Sequence, residues 1–102
     1  MEVEINGKKT VMRMDLGAIK LANKASGKNL LELKAKHFSD ADVIAALIYG
    51  CAHRGNKKIT MDDVDSIKLT ELGPITDAVM EAYGEFLPEG EGKGPLEEKP
   101  QP

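Results

Sequence analysis

Residues 41–52 read A-D-V-I-A-A-L-I-Y-G-C-A, and only Asp42 and Gly50 interrupt an apolar run too long for an ordinary strand. A helix apolar on nearly all sides cannot lie on a surface, so the rest of the chain must cover Val43, Ile44, Leu47, Ile48 and Cys51. Ser39 is placed to accept a hydrogen bond from the free N–H groups of the first turn, and Asp40 and Asp42 suit the positive end of the helix dipole. His53 and Arg54 fall where cations favour the last carbonyls, and Gly55-Asn56 can take the left-handed conformation that stops a helix. A membrane span needs about 20 apolar residues. This run is shorter, carries Asp42 inside it and has charges at both ends, so it predicts the central helix of a soluble protein.

Working outward, M-E-V-E-I-N-G-K-K-T-V-M-R-M at the N-terminus predicts a β-hairpin turning at Asn6-Gly7, a pair that tolerates positive φ at both turn positions. With a two-residue loop, Ile5 faces Lys8, Glu4 faces Lys9, Val3 faces Thr10 and Glu2 faces Val11. Met1, Val3, Ile5, Thr10 and Met12 then gather on one face, while Glu2, Glu4, Lys9 and Arg13 compensate each other on the other. Two strands alone are marginal in water, so the apolar face must rest on helices or on another chain.

Asp15 is expected to cap a helix running to about Ser26, with Gly27 as its stop and Leu16, Ile19 and Ala22 or Asn23 on the buried side, widened by Leu21 and Ala25. Asn29 and Glu32 resemble a capping box opening a short helix through Leu30, Leu31 and Leu33 towards Lys36, with Phe38 as a staple residue into the central helix. Thr60 and Asp63 form a second such box before a short helix near residues 61–67, whose apolar members are Met61, Val64 and Ile67. A last helix is placed with Gly73 as cap and Pro74 in its first turn, where the missing N–H is harmless. Ile75, Val79, Met80, Tyr83, Phe86 and Leu87 supply its apolar side, and Pro88 ends it. Residues 88–102, rich in Gly, Pro and Glu with only Leu96 to bury, are expected to form a disordered C-terminal segment. The fold class expected is therefore mainly α, an N-terminal hairpin packed on four or five helices in a single domain over residues 1–87.

With 102 residues and a net charge of −3, the chain has no general attraction for nucleic acid or anionic lipid. A domain of this size buries only roughly 60 to 65 % of its unfolded surface, so association with a partner or with copies of itself would add stability. One cysteine cannot form an internal disulfide, and no basic-then-apolar leader is visible, so a cytoplasmic location is expected.

Chemistry is scarce. Cys51 and His53 sit about 200° apart around a helix and do not converge on a metal, nor form a Cys-His nucleophile, and His37 would still leave a fourth ligand wanting. A calcium loop starting at Asp63 fails at Ile67 and Lys68, so Asp62, Asp63 and Asp65 read as acidic residues of a helix's first turn. The Gly90, Gly92 and Gly94 series with Lys93 follows no strand and is no phosphate loop. Arg54, Lys57 and Lys58 beside a helix-turn-helix-like pair keep open an alternative, a small DNA-binding regulator, although the helix after the turn begins M-D-D-V-D and would repel phosphate. No carboxylate pair, Ser-His-Asp set or cofactor fingerprint stands out. Neither enzymatic activity nor a cofactor is expected.

A resemblance adds to these patterns. The hairpin, then V-M-R-M-D-L-G-A-I-K-L-A-N-K-A-S-G-K-N-L-L-E-L, then S-D-A-D-V-I-A-A-L-I-Y-G-C-A-H-R, then I-T-M-D-D-V, resembles the tail assembly chaperones of long-tailed bacteriophages. The motifs are the Leu16 to Lys28 stretch ending in S-G-K, the leucine segment Leu30 to Leu33, Tyr49-Gly50-Cys51-Ala52, and Ile59-Thr60 to Val64. The resemblance implies a non-catalytic factor that coats the long helical tape measure protein until tail tube subunits polymerise around it. It implies self-association as a homo-oligomer and absence from the finished virion, hence a host-cell cytoplasmic location without nucleic acid or membrane partners. It also implies a longer form made by ribosomal frameshifting, for which Glu91-Gly92-Lys93 can be encoded as the slippery run GAG-GGA-AAG. Met12, Met14, Met61 and Met80 offer either core filling or adaptable contact to a repetitive client. Leu30, Phe38, Tyr49, Tyr83 and Phe86, large residues in or flanking the helical cover, are the expected partner contacts.

Overall fold

The computed structural model describes residues 2–31 and 39–86. Strands β1 (Glu2–Ile5) and β2 (Lys8–Val11) form an antiparallel hairpin, followed by helices α1 (Leu16–Ser26), α2 (Ala41–Gly55), α3 (Met61–Asp65) and α4 (Leu69–Phe86). The expected mainly helical class with an N-terminal hairpin is what is found. The short helix expected from Asn29 towards Lys36, the Phe38 staple, Leu87 and the C-terminal segment lie outside the described residues.

The hairpin pairs Glu2 with Val11, Val3 with Thr10, Glu4 with Lys9 and Ile5 with Lys8, the register that the turn pair and the alternation dictate. Asn6 and Gly7 take φ values of 52° and 80°, the conformation that closes a two-residue loop. Ile5 and Thr10 are buried and Val3 partly so, which puts this face of the two-stranded sheet against the helices.

The hairpin is fastened to the C-terminal end of α2. A carbonyl oxygen has two lone pairs, so one already in the helical ladder can accept a second donor. Here the Thr10 hydroxyl donates to the Ala52 carbonyl at 2.7 Å, the Arg13 N–H to the Cys51 carbonyl at 3.1 Å, and the Asn56 side-chain amide back to the Lys9 carbonyl at 2.8 Å. Gly55 is required by this fastening, since a Cβ there would collide with the Val11 carbonyl and the Thr10 hydroxyl. Gly55 is still helical, and Asn56 is extended at φ −149°, so the left-handed stop expected at Gly55-Asn56 does not form. The helix closes instead with the Asn56 N–H on the Ala52 carbonyl at 2.9 Å, and the hairpin adds second donors to the Cys51 and Ala52 carbonyls.

Asp15 caps α1, accepting from the Ala18 N–H, and Gly27 ends it at φ 74°, both as expected. The buried side carries Ala18, Ile19 and Ala22, whereas Leu16, expected inside, is 60 % exposed. The reason is the closeness of α1 to α2: a Cβ on Gly50 would meet the Ala18 carbonyl, so small residues face α2 and Leu16 is turned away. At the start of α2 the cap is Asp40 rather than Ser39. Its carboxylate accepts from the Asp42 N–H at 2.9 Å and pairs with Lys28 at 2.6 Å. Lys28 therefore holds the Asp40 carboxyl below its ordinary pKa. Val43, Ala46, Leu47, Ile48, Gly50, Cys51 and Ala52 of α2 are buried, while Ile44 is only partly so.

The Thr60–Asp63 capping box at α3 is complete in both directions. Helix α4 begins at Leu69, four residues before the expected cap at Gly73, and Pro74 lies inside it. The earlier start is supported by a reciprocal turn in which the Lys68 N–H donates to the Glu71 carboxylate at 3.1 Å and the Glu71 N–H to the Lys68 carbonyl at 2.8 Å. Pro74 still stands close enough to the start that only the Thr70 carbonyl loses its helical donor. Ile75, Ala78, Val79, Ala82 and Tyr83 turn inward, with Met12 and Met14 buried in the same core.

Candidate functional site

Ala41, Ala45 and Ile48 stand on the other side of the α2 axis from Gly50 and Arg54, by the usual 3.6 residues per turn. With Ile44 they face Val64 and Ile67 after α3 and Leu72 on α4, and together these residues line a cleft of about 250 Å³ edged by Asp42 and Asp65. Ile48 and Val64 are buried at its base, while Ile44, Ala45, Ile67 and Leu72 are half-buried around it. Asp42 and Asp65 are exposed, and neither makes an ion pair among the described residues. Local chemistry builds this place: the capping box fixes α3, the Ile67 N–H bonds the Val64 carbonyl at 3.1 Å, and the Lys68–Glu71 turn swings Leu72 over the gap. Apolar walls and two exposed carboxylates suit an amphipathic segment that brings apolar side chains and a lysine or arginine.

The sequence-derived contact residues do not converge here. Leu30 is fully buried, its N–H held by the Asn23 side-chain oxygen at 2.6 Å, and Tyr83 is 4 % exposed, so both are spent on the core. Tyr49 is half-buried against the His53 ring at 5.1 Å, and Phe86 against Tyr83 at 6.1 Å. Phe38 lies outside the described residues. None of the four described residues lines the cleft. Ile44 and Ile67, which do, are visible in the sequence only as members of apolar patterns, because nothing local distinguishes a half-covered isoleucine from a covered one.

The titratable groups serve the fold. Asp63 is 5 % exposed and collects the Asn6 amide at 2.8 Å, the Lys8 ammonium at 2.8 Å and the Thr60 N–H at 2.9 Å. Lys8 foremost, then Asn6 and Thr60, hold its carboxyl far below the ordinary carboxylate range. Asp15 and Arg54 form a two-point pair, Nε to Oδ1 at 3.0 Å and Nη2 to Oδ2 at 2.9 Å, which lowers the Asp15 pKa. Burial pushes the Cys51 thiol up to about 12, and its sulfur rests 4.0 Å from that of Met14. His53 Nδ1 donates to the Ile59 carbonyl at 2.9 Å, closing the turn after α2. Cys51 and His53 thus have separate structural employment, and no group of three or more metal-ligating side chains occurs among the described residues.

Nor does the turn between α2 and α3 present a basic reading helix. The five residues of α3 carry Asp62 and Asp63 in the first turn, and Arg54 is already engaged by Asp15. No described helix is long and apolar enough to cross a membrane. The chain matches no protein-family model, no curated protein and no solved structure.

Proposed function

We propose that the protein is a non-catalytic phage tail assembly chaperone that holds the tape measure protein soluble while the tail tube forms. The observation that carries this is the cleft between α2, α3 and α4, apolar within and edged by the exposed carboxylates of Asp42 and Asp65. A long helical client offers apolar side chains at i, i+3, i+4 and i+7 with cations beside them, and such a face complements the cleft in both shape and charge. The resemblance of residues 1–87 to that family supplies the client's identity.

Two experiments test it. The genomic DNA downstream of the Glu85 codon is expected to show a slippery run near Gly92-Lys93, an overlapping frame and then a very long helical gene. Unrelated neighbours would remove the reason for choosing this client. The second experiment is co-expression of the full chain with the product of that long gene. The parent is expected to copurify with the client and keep it soluble, while Ala45→Arg, which fills the cleft and occupies its carboxylates, releases the client into aggregates with its own circular dichroism unchanged. Equal retention by both chains would sink the cleft as the client site.

A further inference from the structure

A second cleft, of about 430 Å³, lies on the α1 side of α2 and is lined by Gly17, Lys20, Leu21, Lys24, His53, Arg54 and Lys57. Lys20 and Lys24 are one turn apart on α1, a helix with no acidic residue. Lys20, Lys24 and Lys57 are exposed, and none has an acidic partner among the described residues. Cations in last turns offset helix dipoles, which accounts for Lys24, His53 and Arg54. It does not account for Lys20 or Lys57, which stand outside those turns yet converge on the same cleft.

Helix α4 carries the complement. It contains no Lys, Arg or His, and Asp77, Glu81 and Glu85 recur at i, i+4 and i+8, all exposed and without a cation among the described residues. Glu85 lies at the C-terminal end of the helix, where the dipole disfavours a carboxylate, and the last turn has no basic residue to offset it. The step from Lys20 to Lys24 and each step along the acidic ridge climb about 6 Å, so two of the ridge carboxylates match the α1 lysines when the helices lie side by side, and Lys57 of the turn after α2 stands at the same cleft.

We propose that α4 of a second copy of this chain lies in the Lys20–Lys24–Lys57 cleft, with its Asp77–Glu81–Glu85 ridge against the three lysines and Leu21 beneath. Cleft and ridge are different surfaces of the same molecule, so the contact is heterologous. Each added copy leaves one cleft and one ridge free, and the array grows into a ring or a filament. Exposed pairs contribute little each and are screened, so the association is weak and salt-sensitive.

Sedimentation velocity on the full chain alone, with no client present, tests this independently of the chaperone reading. The parent is expected to associate with concentration at low ionic strength and to dissociate in about 0.5 M salt, where the Debye length falls to a few ångströms. Lys20→Glu/Lys24→Glu and Asp77→Lys/Glu81→Lys are each expected to weaken association by about tenfold or more. Mixed in equal amounts, the two reversed chains are complementary at both contacts, the acidic ridge of the first against the basic cleft of the second and the reversed ridge against the reversed cleft, so association is expected to return. Should a reversal fail to fold by circular dichroism, Lys20→Gln/Lys24→Gln and Asp77→Asn/Glu81→Gln test the same contact with milder changes, and mixing these two joins one intact ridge to one intact cleft in a dimer that cannot grow further. A parent that stays monomeric at low salt, variants that associate like the parent, or variants that do not pair on mixing would each overturn the proposal.

Discussion

The two ends of α2 are finished in opposite ways. At the C-terminal end the backbone itself is gripped: Thr10 and Arg13 donate to the Ala52 and Cys51 carbonyls, Gly50 and Gly55 let α1 and β2 approach without a Cβ between, and Arg54 locks Asp15. At the N-terminal end the contacts are side chain to side chain, and they stop short of closing, leaving Ile44 and Ala45 half-covered over a cleft. Contacts that need a missing Cβ tolerate almost no substitution, whereas a half-open apolar wall can be altered with small structural cost. Close backbone packing thus sits at one end and a half-open apolar wall at the other.

The comparison breaks most sharply at Gly50. Gly50→Val drives a branched side chain into the Ala18 carbonyl, and chemical denaturation is expected to show a loss of about 3 kcal/mol or more. A loss under about 1 kcal/mol would mean that α1 can retreat and that the gripped end is softer than its geometry implies.

The next largest effect is expected at Asp63, the far anchor of the hairpin turn. Asp63→Asn keeps the size but loses the charge that Lys8 requires, and thermal unfolding near neutral pH is expected to fall by roughly 5 to 10 °C. The sign with pH follows from the lowered pKa. Asp63 contributes fully above the unfolded carboxylate value of about 3.9, and its contribution is lost as pH falls towards the folded value. The parent should therefore lose more stability than the variant as acid is added below about pH 4. Asp15 and Asp40, shifted in the same direction, leave the variant a residual slope. Parallel losses in the two proteins would remove Asp63 from the account.

Smaller effects sharpen the other side. Ile44→Ala at the open end is expected to cost about 1 kcal/mol, below the usual range for a fully buried isoleucine, while client retention falls more than stability does. Leu69, 87 % exposed at the start of α4, should accept serine with a change within about 0.5 kcal/mol. A larger drop in client retention for Leu69→Ser than for Ile44→Ala would move the binding surface off the cleft and onto the first turn of α4.

Local signals made the local structure legible. Asn6-Gly7 set the hairpin register, Asp15 and Gly27 bounded α1, and Thr60 with Asp63 opened α3, because each of these works within a few residues. What escaped depends on distance along the chain. Arg54 and Asp15 meet across 39 residues and Thr10 and Ala52 across 42, and no pattern near either residue announces its partner. The end of α2 at Gly55-Asn56 was legible too, but not that Asn56 would be extended there and hold the Lys9 carbonyl 47 residues away. The start of α4 was obscured differently: Gly73-Pro74 is a strong local start signal, and the Lys68–Glu71 turn overrides it. The cleft was legible least of all, because it arises from how far three helices stop short of one another.

The fastening of the hairpin also sets an order of events while the chain is being made. The hairpin leaves the ribosome ahead of the groups that hold it, Ala52, Lys58 and Asp63, the last of them 55 residues behind Lys8. At 5 to 20 residues per second, roughly 3 to 10 s pass between the synthesis of Lys8 and that of its carboxylate. Two strands alone do not persist in water for want of a covering face. The hairpin segment is therefore made well before it can be secured, and it spends those seconds as unpaired chain within reach of whatever else is emerging nearby.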